Sequence, residues 1–136
     1  METSTTIVGN LTRDPELKFS DSGKAVTSFA VAVNNRRKNR QTQEWEDFPS
    51  FMNVVAWADL AEHCASSLKK GERVIVFGTL QERSYEGRDG NTRRVLELIA
   101  DALGHDLRFG TTQFVKANAG APKSASPSYA FDEEPF

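Results

Sequence analysis

Apolar and polar residues alternate with a period of two along much of the chain, which is the pattern of strands with one buried face. Residues 47–57 are the most informative stretch because their two faces differ. Met52 and Val54 lie on one face, whereas Phe51 and Trp57 stand at the two ends of the other, roughly 20 Å apart at about 3.3 Å per residue. That second face is either packed beneath another layer or is a platform on which flat ligands stack.

Further strands are predicted at residues 5–12, 25–34, 72–86 and 92–102. Residues 13–20 are predicted as a loop because Pro15 cannot donate to a sheet, and the turn residues from Ser20 to Gly23 follow. The polar and basic residues 35–46 are predicted as an exposed, mobile loop. Trp45 is the exception in that loop, since an indole in such surroundings usually lies against something.

After residue 57 the period changes to 3.6, and apolar residues from Leu60 to Leu68 mark one face of a helix. Asp59 and Glu62 have the spacing of a capping box, which predicts the start of the helix. Gly71 is suited to the left-handed conformation that ends one. The sequence therefore predicts a single helix between the third and fourth strands.

Two basic clusters stand out from the strand pattern. The strands at 72–86 and 92–102 are predicted to pair through the turn signal Asp89-Gly90, and their polar ends form an arm that reaches past the core. The arm carries Tyr85 among arginines, which favours contact with nucleic acid; the alternative is a hairpin kept soluble by its charges. The clusters consist of Arg83, Arg88, Arg93 and Arg94 on the arm, and of Arg36, Arg37, Lys38 and Arg40 in the loop.

The C-terminal part has a different composition. Residues 104–115 are predicted to add one short strand, while residues 116–130, rich in Ala, Ser and Pro, are predicted as a disordered linker. Residues 131–136 combine acids with aromatic rings and a terminal carboxylate, which is the chemistry of a short docking peptide; the alternative is a solubility tail. The predicted docking residues are Asp132, Glu133, Glu134, Pro135 and Phe136.

Length, charge and cysteine content narrow the class of protein. The chain has 136 residues, a net charge of −2 and one cysteine, Cys64. This suits one domain with a tail, and a single cysteine rules out an internal disulfide and agrees with a reducing compartment. No apolar run reaches the 18 or so residues that span a bilayer, and the N-terminus lacks the features of a secretory signal, so a cytoplasmic location is expected.

The order of elements is three strands, a helix and two strands. This is the order of the OB fold, a five-stranded barrel whose strand 2 and 3 face binds oligonucleotides. The sequence resembles the bacterial single-stranded DNA-binding proteins over residues 7–115 and the last few residues. The resemblance is carried by IVGNLTRDPELKFSDSGKAVTSFAVAVNN (7–35), FMNVVAWADLAEHCASSLKKGERVIVFGTLQERSYEGRDGNTR (51–93) and the terminal DEEPF.

The resemblance implies a mainly β fold with an OB domain at residues 1–115, a linker at 116–130 and a protein-docking tip at 131–136. It implies base-stacking rings at Phe51, Trp57 and Tyr85. The loop aromatic of many relatives falls near Arg37 here, so either the Arg37 guanidinium or Trp45 takes its place. The basic residues of both clusters are expected to follow the phosphates of the strand.

The resemblance also implies partners. It predicts a homotetramer in which residues 107–115 clamp subunits together, a nucleoid-associated location, and recruitment of replication, recombination and repair proteins by the tip. The residue pattern by itself also allows a second class of protein, an interaction module that buries its aromatic face against a protein subunit. An enzyme is disfavoured because His63 and Cys64 are neighbours on a helix and no metal-ligand, phosphate-loop or nucleophile–base pattern occurs at usable spacing. The sequence therefore predicts no enzyme activity, cofactor or metal.

Overall fold

A computed structural model describes residues 2–117. Within this range the chain forms six strands and one helix, which are β1 (Thr3–Leu11), β2 (Glu16–Phe19), β3 (Ala25–Lys38), β4 (Trp45–Trp57), α1 (Ala58–Ser67), β5 (Arg73–Glu86) and β6 (Thr92–His105). Hydrogen-bonded neighbours follow the order β1-β5-β6-β4-β3, and β3 returns to β1, so that five strands close a barrel. The prediction of a mainly β, OB-type barrel with one helix before the final hairpin is confirmed.

The barrel closes where β1 meets β3, at the pairs Asn10–Ala32 and Leu11–Val31. Gly9 permits this close approach, because a Cβ atom there would lie 2.3 Å from the carbonyl oxygen of Ala32. All strand pairs are antiparallel except β4 and β6, which run parallel over residues 53–55 of β4. The register of this short parallel pair joins the face of β4 to the arm formed by β5 and β6.

The core fills the barrel and continues beneath the helix. Its largest fully buried side chains are Phe29, Val31, Val54, Val74, Val76, Leu98 and Thr27. Ala61, Cys64 and Leu68 pack on this cluster, which confirms the predicted helical stripe. Each buried Val, Leu or Phe contributes about 1.5 to 3 kcal/mol, so this inner face fixes which residues of every strand are left pointing outward.

Residues 13–20 are not a loop throughout, as the sequence predicted, since they contain strand β2. This strand pairs with β3 from Glu16–Ser28 to Phe19–Ala25, and the Thr27 hydroxyl donates a hydrogen bond to the Glu16 carbonyl at 2.7 Å. Pro15 precedes the strand, where its missing N–H costs no ladder bond. The barrel therefore has a short sixth strand added to β3.

The predicted mobile loop at 35–46 is largely a hairpin. β3 and β4 remain paired out to Lys38–Trp45, and only residues 39–44 turn the chain. Asn39 stabilises the turn, because its Oδ1 accepts hydrogen bonds from the backbone N–H of Gln41 and Thr42 at 2.8 and 3.1 Å. The sequence did not predict this pairing because the residues are mostly polar. A two-stranded arm outside the core does not need alternating apolar residues.

The helix begins differently from the predicted capping box. Trp57 is the N-cap residue and no side chain caps the helix, while Asp59 lies inside the first turn, where a carboxylate favours the helix dipole. The strand enters the helix through a single residue, Ala58, with φ of 58°. Gly71 has φ of 89° but lies beyond the helix end, which Leu68 caps in an extended conformation.

The short strand predicted at 104–115 is also wrong. Gly104 and His105 complete β6, and residues 106–117 form turns and extended chain without a ladder. A strand needs a row of backbone partners, and within the described residues 106–117 the backbone–backbone hydrogen bond to β5 is that from the N–H of Asp106 to the carbonyl of Arg73. Leu107, Phe109 and Phe114 are correspondingly exposed in the single chain.

Candidate nucleic-acid interface

Strand β4 presents the two rings singled out in the sequence on its outward side. Val54 and Ala56 are fully buried on the inner side, whereas Phe51 is 64% and Trp57 40% exposed. The period of two that buries the inner residues forces the rings outward. Their surface is therefore accessible to a flat ligand in the single chain.

Strand β3 lies beside these rings and carries small side chains opposite them. Phe51 pairs with Ala32, and Trp57 pairs with Val26. Directly paired residues share a face of the sheet, so Phe51 has only the methyl group of Ala32 beside it on β3, whereas Trp57 has the larger Val26. Phe51 is accordingly the more exposed of the two rings.

Trp45 and Tyr85 extend the same side of the sheet along its two arms. Trp45 is an even number of residues from Phe51 on β4 and is 61% exposed. Tyr85 is 44% exposed and lies on the arm of β5. The pairs Asn53–Glu97 and Gln81–Glu97 join the outward sides of β4, β6 and β5. The register therefore brings the four predicted rings onto one face, here called the aromatic face: Trp45, Phe51, Trp57 and Tyr85.

The predicted cations lie on the two hairpins that carry Trp45 and Tyr85, on both sides of the strands, and are all exposed. Several are held by acids: Arg36 by Asp47 at 3.8 Å, Arg93 by Asp89 at 2.8 Å and Arg94 by Glu82 at 3.4 Å. Exposed pairs of this kind contribute little and are easily exchanged for another anion. Within residues 2–117, Lys38, Arg40 and Arg88 form no ion pair.

Arg83 differs from the other predicted cations because its partner is buried. Its Nε and Nη2 atoms donate hydrogen bonds to the two carboxylate oxygens of Glu97 at 3.2 and 2.9 Å. These bonds and the charge of Glu97 raise the pKa of the Arg83 guanidinium. The guanidinium carbon also lies 5.7 Å from the centroid of the Tyr85 ring.

The sequence did not identify two contacts made by residues near the aromatic face. Phe48 contacts the guanidinium of Arg37, whose Cζ lies 3.8 Å from the ring centroid. Lys24 places its Nζ 5.9 Å from the centroid of Trp57. Phe48 could have been noticed in the sequence, because it is an aromatic residue in the stretch from Trp45 to Phe51. Lys24 could not, because only the pairing of β3 with β4 brings it to Trp57.

Cys64, the single cysteine of the chain, is buried in the helix. Within residues 2–117, no three His, Cys, Asp or Glu side chains group closely enough to hold a metal ion. Burial raises the pKa of the Cys64 thiol to about 11, which keeps it protonated and unreactive. No helix in this range has the length and apolar content needed to cross a membrane.

The predicted docking tip at 131–136 and the linker from residue 118 lie outside the described residues.

The barrel, the helix and the exposed rings together identify the fold class of the protein. A closed five-stranded barrel with a helix before its last hairpin is the architecture of the OB fold, and this barrel has an exposed aromatic face. The profile described as "Single-strand binding protein family" matches residues 2–106. The chain belongs to this family.

Individual relatives are similar over most of this chain. A single-stranded DNA-binding protein of Bifidobacterium longum is 52% identical over 120 residues, covering 88% of this chain; the chain spans 55% of that relative. A single-stranded DNA-binding protein of Mycobacterium tuberculosis is 43% identical over 143 residues, covering 99% of this chain and 87% of the relative. The crystal structure of a small single-stranded DNA-binding protein from Streptomyces coelicolor has a TM-score of 0.65 at 33% identity and covers 80% of this chain and 98% of that one.

Proposed function

We propose that this protein binds single-stranded DNA without sequence preference, by stacking unpaired bases on the aromatic face. The observation that supports it most is the exposure of Trp45, Phe51, Trp57 and Tyr85 on one side of the sheet, when nothing in the inner packing requires rings there. Every base has a π-face, so stacking is tolerant of sequence and contributes about 1 to 3 kcal/mol per base. Paired bases hide these faces, which favours single strands over duplex.

The cations on the two hairpins supply the second part of the interaction. Lys38 is paired with Trp45, Arg40 lies in the turn of the same hairpin, and Arg88 lies at the tip of the arm that carries Tyr85. Each phosphate that they neutralise releases counterions, so the affinity falls as salt rises, with a slope of about −0.7 per contact for single strands. Arg36, Arg37, Arg93 and Arg94 add to this field when they exchange their carboxylate or ring partners for phosphate.

A titration with poly-dT, followed by tryptophan fluorescence at low and high salt, tests the proposal. Stacking on Trp45 and Trp57 is expected to quench the emission stoichiometrically, and duplex DNA of equal length is the matched control. If the emission does not respond to poly-dT, the aromatic face is instead covered by protein, as in an interaction module. Equal quenching by duplex would also contradict the proposal.

We further propose a homotetramer in the cytoplasm, as the family resemblance implies. Supporting this, Ile75 and Phe77 of β5 are large apolar side chains exposed on the outside of the barrel, and Val8 of β1 is paired with Ile75 on the same face. Phe77→Asp is expected to reduce the mass measured by light scattering, whereas Phe19→Asp, an equal change on β2, is expected to leave it unchanged. A wild-type monomer, or a tetramer indifferent to Phe77→Asp, contradicts this assignment.

We propose that the tip, Asp132 to Phe136, docks replication, recombination and repair proteins. Its acids steer a partner and its ring fills a pocket, which is the chemistry of a short peptide ligand. Deleting these five residues is expected to leave strand binding intact or slightly stronger, because an anionic segment on the same chain competes for the cations, and to abolish retention of partner enzymes. Loss of strand binding on deletion would contradict a separate docking tip.

A further inference from the structure

Glu97 is an acid placed among the rings and cations of the proposed DNA-binding surface. It lies between Asn53 of β4 and Gln81 of β5, and only 12% of its side chain is exposed. A carboxylate here repels the phosphates of a bound strand, and its burial is costly unless a cation compensates it. Direct contact with DNA therefore does not account for Glu97.

The partner of Glu97 provides a different role. Two donors of Arg83 bond to the two carboxylate oxygens, which is the bidentate geometry that fixes a guanidinium in position. Tyr85 follows two residues later on the same side of β5, and its ring centroid is 5.7 Å from the Arg83 guanidinium carbon. This distance is within the range of about 6 Å for attraction between a cation and a ring.

We propose that Glu97 and Arg83 are positioning residues for Tyr85. Glu97 fixes the guanidinium, and the guanidinium holds the Tyr85 ring in the orientation that stacks on a base. The sequence predicted that Arg83 contacts a phosphate. In this proposal it does not, because the charge of Glu97 balances that of Arg83. Arg88 on the same arm is the counterpart, exposed and without an ion pair in the described range. This inference rests on the proposed function.

The test compares the full chain with two altered forms. The first is the double variant Arg83→Gln with Glu97→Gln, which removes the pair without leaving a buried charge. The second is Arg88→Gln, the matched control. Each is titrated with oligo-dT and with an abasic oligomer of the same length at several salt concentrations, and circular dichroism with thermal melting verifies the fold.

A positioning role predicts a selective loss. The double variant is expected to bind oligo-dT more weakly, by at most the factor of about 5 to 150 expected for loss of the Tyr85 stack, with little change for the abasic oligomer. Its salt slope is expected to equal that of the wild type. Arg88→Gln is expected to weaken both probes and to reduce the slope by about 0.7. A double variant that behaves like Arg88→Gln, or like the wild type, overturns the proposal.

The single variant Glu97→Gln gives an independent answer. It leaves the Arg83 charge unbalanced, so the salt slope is expected to steepen by about 0.7, as for one added phosphate contact. An unchanged or shallower slope contradicts neutralisation of Arg83 by Glu97. A wild-type protein that binds oligo-dT no better than the abasic oligomer would instead contradict the stacking function itself, and the two failures are thus distinguishable.

Discussion

The guanidinium carbon of Arg37 lies 3.8 Å from the ring centroid of Phe48, across the diagonal of the β3–β4 hairpin. Phe48 is an odd number of residues from Trp45 and from Phe51, so it lies on the opposite side of the strand from both. Arg37 is thus engaged behind the aromatic face. We therefore propose that Trp45, and not Arg37, takes the place of the missing loop aromatic.

We accordingly expect Trp45→Ala to weaken oligo-dT binding by a factor of about 5 to 150, the value of one stack. Phe48→Ala removes only the support of an exposed cation, worth about 0.5 to 1 kcal/mol, and is expected to weaken binding by about five-fold at most. Fluorescence titration at a fixed salt concentration measures both. A larger loss for Phe48→Ala than for Trp45→Ala would show that Arg37 takes the ring's place.

Trp57 and Lys24 separate stacking from charge at the other end of the face. Trp57→Ala is expected to weaken oligo-dT binding while most of the salt slope remains, because a ring releases no counterions. Lys24→Gln, next to the same ring, is expected to reduce the slope by about 0.7. Affinities measured over a range of salt concentrations give both quantities. A loss of slope with unchanged low-salt affinity in Trp57→Ala would mean that the roles are reversed.

Ala58, the first residue of α1 after the N-cap Trp57, adopts a left-handed conformation with φ of 58°. An L side chain in this region costs roughly 1 to 2 kcal/mol, which glycine avoids, although glycine also loses more entropy on folding. Ala58→Gly is therefore expected to raise the free energy of unfolding by about 1 kcal/mol in chemical denaturation. The same change at Ala65, inside the helix, is the control and is expected to lower it by about 1 kcal/mol. A loss of stability in Ala58→Gly would indicate that entropy outweighs the strain.

The strand pattern predicted the barrel and the outward rings because core burial imposes the period of two. Buried residues such as Phe29, Val54 and Leu98 recur at every second position of their strands. Phe51 and Trp57 occupy the alternate positions of β4, so the same pattern predicts that they point outward. Strand β2 has the alternating apolar residues Leu17 and Phe19, but both are exposed, and the outer half of the β3–β4 hairpin has no regular apolar alternation. Both lie beyond the core, and their pairing depends on backbone hydrogen bonds, which need no apolar side chain.

The contacts of the site depend on register between distant parts of the chain. The Arg83–Glu97 pair exists because β5 and β6 pair with Gln81 opposite Glu97, and a bulge between Phe77 and Gly78 sets that register. Sequence spacing predicts a hairpin there but does not identify the partner of each arginine. Arg83 was consequently grouped with Arg88, although one is neutralised and the other has no ion pair in the described range.

The carboxylate of Glu72 makes the stability of the barrel depend on pH. It is hydrogen-bonded to Nε2 of His105 at 2.9 Å and accepts the backbone N–H of Lys69 at 3.0 Å. The bond to His105 is the main cause that lowers the pKa of Glu72 below its ordinary value of 4.5. Because the folded state favours the ionised form, the stabilisation is complete above pH 4.5 and is lost as the pH falls through the folded-state pKa.

Glu72→Gln is therefore expected to lose less stability than the wild type between about pH 6 and pH 3, as measured by chemical denaturation at each pH. The difference is expected to stay below about 1 kcal/mol, since Glu72 is 39% and His105 22% exposed and solvent screens the pair. Glu62→Gln, an equal change on the exposed side of the helix, is the matched control. A variant that loses as much stability as the wild type over this interval would show that the contact between β6 and Glu72 does not contribute to the acid response.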